Sequence, residues 1–466
     1  MSSATGKAPP IGTFHECAQC QKKFTVTKYT ISNDSGFLCH PCAKSSGENP
    51  FKKPAPRKRK PAAEKRTVKN FEEVEPVKTL TGMCISIIGS YIDQVEELGD
   101  VGAVNMDKIC RIVSKSRNLN EHNVRLFYDV TNTSLVIYDS TNLKSPAFSA
   151  MSALNPNLQR LTLHMCGQME STVLDDWSKS FKNLTRLELH APFLVREPAW
   201  INFIRAKGPQ LTGFLITNSP RFTQECLDTL VESAPDLNEL RLAEFTKMND
   251  SWLEGIAQFT SLTSLDLSSD RSSRISLTSQ PVIELLKSVG RNLALLRLDA
   301  NEELDDTMLL DGVALHCTAL ETLSMSLLPA LTDEGVAKFF DKLPLTNELT
   351  CVNFSRCHEV SSLALRAILK HSRATLQSLN INGCKEVDED ALNLIGEAAP
   401  RLTELDVGWC RNVNDLVIGS ILLPKRGMTE LKTINCFGCN RITQNCPKKA
   451  GVTIIGVETD ISRQRL

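Results

Sequence analysis

The chain has 466 residues, of which 41% are hydrophobic and 23% charged, with a formal net charge of −1. It has no run of eighteen apolar residues and no apolar leader-type core near residue 1, so we expect neither a membrane helix nor a secretory signal, and reduced thiols for its 16 cysteines. The near-neutral total hides a polarity. Residues 1–70 hold 14 Lys/Arg against 4 Asp/Glu, which leaves the remainder 39 of the chain's 53 basic residues and 50 of its 54 acidic ones. A basic arm therefore precedes an acidic body.

Residues 1–13 read as a disordered N-terminus. Residues 14–44 contain Cys17-x2-Cys20 and Cys39-x2-Cys42. Each pair closes a tight knuckle with two thiolates facing one metal, and four thiolates complete a closed tetrahedral site for one structural zinc ion. Phe24, Val26, Tyr29, Ile31 and Phe37 can form only a small core between the knuckles, so the metal supplies most of the folding free energy. His15 and His40 adjoin the knuckles as substitute ligands, but the four cysteines already suffice.

Residues 45–76 are rich in Pro, Lys and Arg and poor in large apolar residues, as in a disordered basic linker. Lys52, Lys53, Arg57, Lys58, Arg59 and Lys60 form its densest cluster. A nuclear-import signal, a phosphate-contacting arm and a plain solvated linker all fit that pattern.

Residues 77–154 read as a helical adaptor-binding or capping segment. Thr79, Leu80, Cys84 and Ile88 match the degenerate pattern of an elongin-C-binding box, with Leu80, Cys84 and Ile88 spaced along one helix face. The plain alternative is a helix that packs on the first repeat and covers its open edge. Residues 135–143, LVIYDSTNL, resemble a degenerate first repeat.

Residues 155–450 are repetitive. The pattern L-x-x-L-x-L starts at Leu158, Leu184, Leu211, Leu237, Leu262, Leu293, Leu320, Leu349, Leu376, Leu402 and Leu431. The period stays close to the roughly 20–29 residues of leucine-rich repeats, with one longer step between Leu262 and Leu293. The x-L-x-L portion alternates as a half-buried strand does, and one unit cannot close its own core, so units must stack. Cys166, Cys357, Cys384, Cys410 and Cys439 sit where the chain leaves the strand, where a small thiol can hydrogen-bond to loop backbone. Thr332 and Asp388 are expected to cap the helices that follow. The fold class is thus α/β, a leucine-rich-repeat horseshoe of the cysteine-containing type, with a zinc finger and a helical cap before it. Residues 451–466 are read as a C-terminal cap or tail.

The exposed strand positions form the expected concave binding face, including Arg160, His164, Arg186, His190, Arg241, Arg297, Asn353, Asn380 and Asn382. The early repeats are more basic and the late ones more acidic or amide-rich. No phosphate loop, H-E-x-x-H or G-x-S-x-G occurs. No catalytic residue is assigned, and a binding protein is expected.

The order of parts adds a resemblance. FHECAQCQKKFTVTKYT, LCHPCAK, the basic linker, DVGAVNMDKI and LFYDVTNTSLVIYDSTNL, followed by cysteine-type repeats, resemble the Rad-seven family of fungal DNA-repair proteins over nearly the whole chain. The resemblance implies a nuclear, non-catalytic role in global-genome nucleotide excision repair. The implied partners are a Swi/Snf-type ATPase with a RING finger, an elongin-C-like adaptor, a cullin, a ubiquitination client and, directly or indirectly, DNA or chromatin. Two rival readings stand beside it: an F-box-type receptor using a Skp-class adaptor, and a protein that binds damaged DNA directly.

Overall fold

The computed structural model describes residues 9–47, 70–71, 79–344, 347–423 and 430–459. The chain forms two compact units, one from Met1–Lys69 with Asp460–Leu466 and one from Asn70–Thr459. The basic cluster Lys52–Lys60 and most of the segment read as linker lie outside the described residues.

In the first unit, β1 (Phe14–Glu16) pairs antiparallel with β2 (Lys23–Thr25), and β3 (Ile31–Asn33) with β4 (Gly36–Leu38). Helix α1 (His40–Ser45) follows directly, with a proline in its first turn, where the lost N–H costs nothing. The core is as small as the sequence implied: Leu38 and Ala43 are buried with Cys17 and Cys39, and Phe24 and Ile31 pack against them. Tyr29 does not join it and is 44% exposed.

In the second unit, β5 (Asn70–Phe71) pairs antiparallel with a strand at the other end of the sequence (Glu458–Thr459). Helices α2 (Leu80–Ser90) and α3 (Ala103–Lys115) follow. They approach closely because residue 89 is glycine: a Cβ there would lie 2.8 Å from Ile112 Cγ2. The parallel strands then begin: β6 (Ser134–Ile137), β7 (Arg160–Leu163), β8 (Arg186–His190), β9 (Gly213–Thr217), β10 (Glu239–Ala243), β11 (Ser264–Asp266) and β12 (Leu295–Arg297). They continue as β13 (Thr322–Ser324), β14 (Cys351–Asn353), β15 (Ser378–Asn380), β16 (Glu404–Asp406), β17 (Thr433–Asn435) and β18 (Thr453–Ile455), and the Glu458–Thr459 strand is β19. Strands β6 to β18 form one 13-stranded sheet in sequence order.

The sheet has one strand more at each end than the eleven counted from the leucine pattern. It begins inside the segment read as cap and ends inside the segment read as tail. Both outer strands lack the leading leucine of the motif; the first falls in the stretch 135–143 read as a degenerate first repeat, and the last carries no such mark. Helix α3 covers the first edge, and Cys110 Sγ donates to the Val136 carbonyl at 3.4 Å.

Register explains the core. Leu161 pairs with Leu187, and Leu240 with Leu265, so one apolar row lies over the next. Strands pack about 4.8 Å apart, whereas helices need about 8–10 Å, so a stack with strands on one side and helices on the other must curve with the sheet inside. The loop cysteines form a second ladder. Cys357 donates to the Met325 carbonyl, Cys384 to Phe354, Cys410 to Ile381 and Cys439 to Val407, at 3.0 to 3.3 Å. Where asparagine replaces cysteine, Asn301 Nδ2 makes the same link to the Leu267 carbonyl at 3.0 Å. Burial pushes the Cys166, Cys357 and Cys410 thiols up to about 12, so these are inert structural groups. Thr332 and Asp388 cap their helices as expected, accepting from Gly335 N and Ala391 N.

Two buried tryptophans differ in one respect that can be measured. Trp177 Nε1 donates to the Phe148 carbonyl at 2.8 Å, whereas Trp200 Nε1 has no partner among the described residues. Trp177→Phe should therefore cost about 1–3 kcal/mol more than Trp200→Phe in urea unfolding, because the first gives up a buried hydrogen bond whereas the second removes a buried N–H that makes none. Equal losses would refute the assignment.

Candidate metal centre and docking surfaces

The four Sγ atoms of Cys17, Cys20, Cys39 and Cys42 lie within 4.8 Å of one another. Four sulfurs at the usual zinc distance of about 2.3 Å stand about 3.8 Å apart, and Cys20 Sγ to Cys39 Sγ measures 3.6 Å. Local geometry builds this site. Gln21 takes a positive φ of 56° to close the first knuckle, with its N–H on the Cys17 carbonyl at 2.9 Å. Cys39 is the extended N-cap of α1, so Cys42 falls one helical turn on and faces back.

The electrostatics fit a cation. The Cys39 N–H donates to Cys17 Sγ at 3.2 Å, and this bond above all holds the Cys17 thiol down to about 6. Hydrogen bonding with Cys39 and Cys20 and burial push Cys42 up to about 12. Four sulfurs this close cannot all ionise unless a divalent cation neutralises them. The site is a structural zinc centre with four thiolate ligands and no open position. His15 is exposed, with its ring against Phe37, and neither it nor His40 joins the sulfur cluster.

The second surface is α2. Thr79 Oγ1 accepts from Gly82 N at 3.1 Å and caps the helix. Leu80 and Cys84 are exposed as expected, but Ile88 is half-buried against the core. The outward stripe is Leu80, Met83, Ile87 and Tyr91, which are 73%, 45%, 60% and 58% exposed. Of these four, the short motif names only Leu80. Their spacing of three, four and four residues was the available signal. Ile85 and Ile92 take the inward side.

The third surface is the inner face of the sheet. Arg186 and Arg241, expected on the concave binding face, lie on it but are tied up in ion pairs within it. Arg186 bonds Glu188 and Glu239, both at 2.9 Å. Arg241 bonds Glu188 at 2.7 Å and Asp266 at 3.1 Å. Gly213 makes room for this: a Cβ there would lie 2.8 Å from Arg186 Cγ. Arg160 and Arg297 are exposed and have no ion-pair partner among the described residues. Asn353 and Asn380 accept from the N–H two residues on, closing the turn out of the strand. Asn382 donates to Asp406 at 3.0 Å. His164 and His190 stand side by side as expected, with ring centroids 5.1 Å apart, and burial lowers the pKa of both.

Comparison with known proteins agrees with this layout. The family described as the DNA repair protein rhp7 treble clef domain matches residues 11–48. DNA repair protein rhp7 of Schizosaccharomyces pombe is 31% identical over 87% of this chain and 72% of its own length. DNA repair protein RAD7 of Saccharomyces cerevisiae is 28% identical over 87% of this chain and 74% of its own. Among solved structures, a chain in the crystal structure of the Rad7 and Elc1 complex in yeast superposes with a TM-score of 0.70 at 26% identity, over 82% of this chain and 98% of that one. With a treble-clef zinc module, a leucine-rich-repeat solenoid and relatives matched along most of their length, the chain belongs to the Rad7/rhp7 family of DNA-repair proteins.

Proposed function

We propose that this protein is a non-catalytic nuclear scaffold and substrate receptor in global-genome nucleotide excision repair. It works with a Swi/Snf-type RING-containing ATPase and joins an elongin-C-like adaptor and a cullin as a ubiquitin-ligase subunit. The observation that carries the adaptor role is the outward apolar stripe of α2, Leu80, Met83, Ile87 and Tyr91. A capped helix with one bare apolar face suits a partner's groove. A relative of similar fold is described in a complex with Elc1, which supports the same reading. The basic cluster Lys52, Lys53, Arg57, Lys58, Arg59 and Lys60 would serve nuclear entry and sequence-blind phosphate contact. The inner face of the sheet would hold the client.

Leu80→Asp with Ile87→Asp tests the adaptor role. Both side chains are exposed, so the unfolding free energy should stay within about 0.5 kcal/mol of wild type. Recovery of an elongin-C-like protein and cullin from nuclear extract should fall at least about tenfold, the loss expected when charge enters an apolar anchor site. Unchanged recovery, or a Skp-class protein in place of the elongin-C-like one, would overturn the reading.

A further inference from the structure

The row of residues at the exit edge of the inner face changes character abruptly. On the first three repeats it is a column of flat rings. The Tyr138 and His164 rings stack with centroids 6.3 Å apart, and His190 follows at 5.1 Å. At its outer end the column already holds a guanidinium. Arg111 lies 4.6 Å from the Tyr138 ring centroid and donates to its hydroxyl at 2.8 Å.

Beyond His190 the row turns small. Thr217 pairs in register with His190, and Ala243 with Thr217. The missing bulk leaves a cavity of about 320 Å³ walled at one end by His190. Glu244, Asp266 and Asp299 also line it. The one nearby arginine of the ion-pair network, Arg241, is already shared between Glu188 and Asp266. Burial, and then the Asp270 charge, raise the pKa of Glu244; burial likewise raises that of Asp299. Thr217 is 3% exposed and its hydroxyl has no partner among the described residues. The longest repeat step, Leu262 to Leu293, places its extra loop here: Ser268, Ser269 and Arg271 of that loop line the cavity, as does Arg297 of β12. Insertions in repeat proteins commonly collect on the binding face.

We infer that this cavity is a receptor pocket for an arginine side chain of a partner polypeptide. The guanidinium continues the ring column by stacking on His190 and is neutralised by Glu244 and Asp299. Its N–H groups supply the donors that the Thr217 hydroxyl lacks. Burial favours the neutral imidazole of His190, so the end wall does not repel a cation. The acidic balance of residues 71–466 favours approach of a basic segment. The inference rests on the inner face being the client surface, and it is independent of adaptor docking on α2.

The test uses the full chain and a fluorescein-labelled peptide, Gly-Ser-Gly-Arg-Gly-Ser-Gly, beside its lysine, citrulline and phosphoserine counterparts, read by anisotropy. The arginine peptide should bind at least about fivefold tighter than the citrulline one, the scale of a single ion pair in a partly dry site. Glu244→Gln and Thr217→Val should each weaken it several-fold, while Glu359→Gln, an exposed control, should not. Equal binding of arginine and citrulline peptides, equal loss in the control, or preference for phosphoserine through Arg271 and Arg297 would each overturn the proposal. Capture of the elongin-C-like adaptor by the same variants should be unchanged. If wild type lacks adaptor capture yet binds the arginine peptide, only the ligase reading fails.

Discussion

Chelating the zinc is expected to unfold the module around Cys17, Cys20, Cys39 and Cys42 while leaving the melting of the solenoid unchanged. Among the described residues, the module's buried core is a handful of side chains, two of them ligands. The apparent free energy of a structural zinc in such a module is about 10–16 kcal/mol at neutral pH, far above what that core could supply. The solenoid is a separate compact unit with a continuous core of its own. Cys39→Ser should act like chelation, since it removes a ligand and alters the N-cap of α1. Limited proteolysis with mass spectrometry should show new cleavage within residues 9–47 after chelator, reversed by added zinc. Full protection after chelation would refute the structural role of the metal. The pH dependence has a definite sign. Thiolates held by metal have a folded-state pKa far below the unfolded value of about 8.5. Their stabilisation is greatest above that value and declines as pH falls, so zinc should be released progressively on acidification.

Glu188→Ala should destabilise the solenoid by about 1.5–3 kcal/mol, the scale of lost hydrogen bonds to charged groups, although Glu188 lies on the sheet face and not in the apolar core. Its carboxylate joins Arg186 and Arg241, with side-chain exposures of 13%, 23% and 22%. Removing it leaves Arg186 with Glu239 alone and Arg241 with Asp266 alone. Urea unfolding at neutral pH reads the loss, and a value under about 1 kcal/mol, that of a surface pair, would show that solvent screens the network. Adding Arg186→Met and Arg241→Met to that variant should deepen the loss, because Glu239 and the buried Asp266 then stand without their cations. Burial alone would raise the pKa of Glu188, but Arg241 and Arg186 outweigh it and hold the carboxyl below its ordinary value. Its contribution is therefore present above the unfolded value of about 4.3 and lost as pH falls through the lower folded one. The Glu188→Gln variant should show a shallower acid-unfolding slope below pH of about 4 than wild type.

The leucine spacing and the two C-x-x-C pairs determined the solenoid and the zinc ligands before any coordinates. Both are local patterns whose geometry follows from chain periodicity: a strand alternates, a helix advances by turns, and a knuckle closes over two residues. The cysteine ladder was legible for the same reason, since each thiol recurs at one point of the period. The tertiary structure decided what depends on distant partners. Arg186 meets Glu239, and Arg241 meets Glu188, across 53 residues of sequence, so arginines read as part of the binding face are neutralised within it. The rotation of α2 was likewise hidden: Gly89 lets α3 approach, which draws Ile88 inward and leaves Ile87 and Tyr91 outside. The cavity beside His190 exists only because repeats aligned in register place Thr217 and Ala243 after a column of rings. Periodicity fixes which side of an element faces the core, whereas pairing across repeats sets which charges and surfaces remain available to a partner.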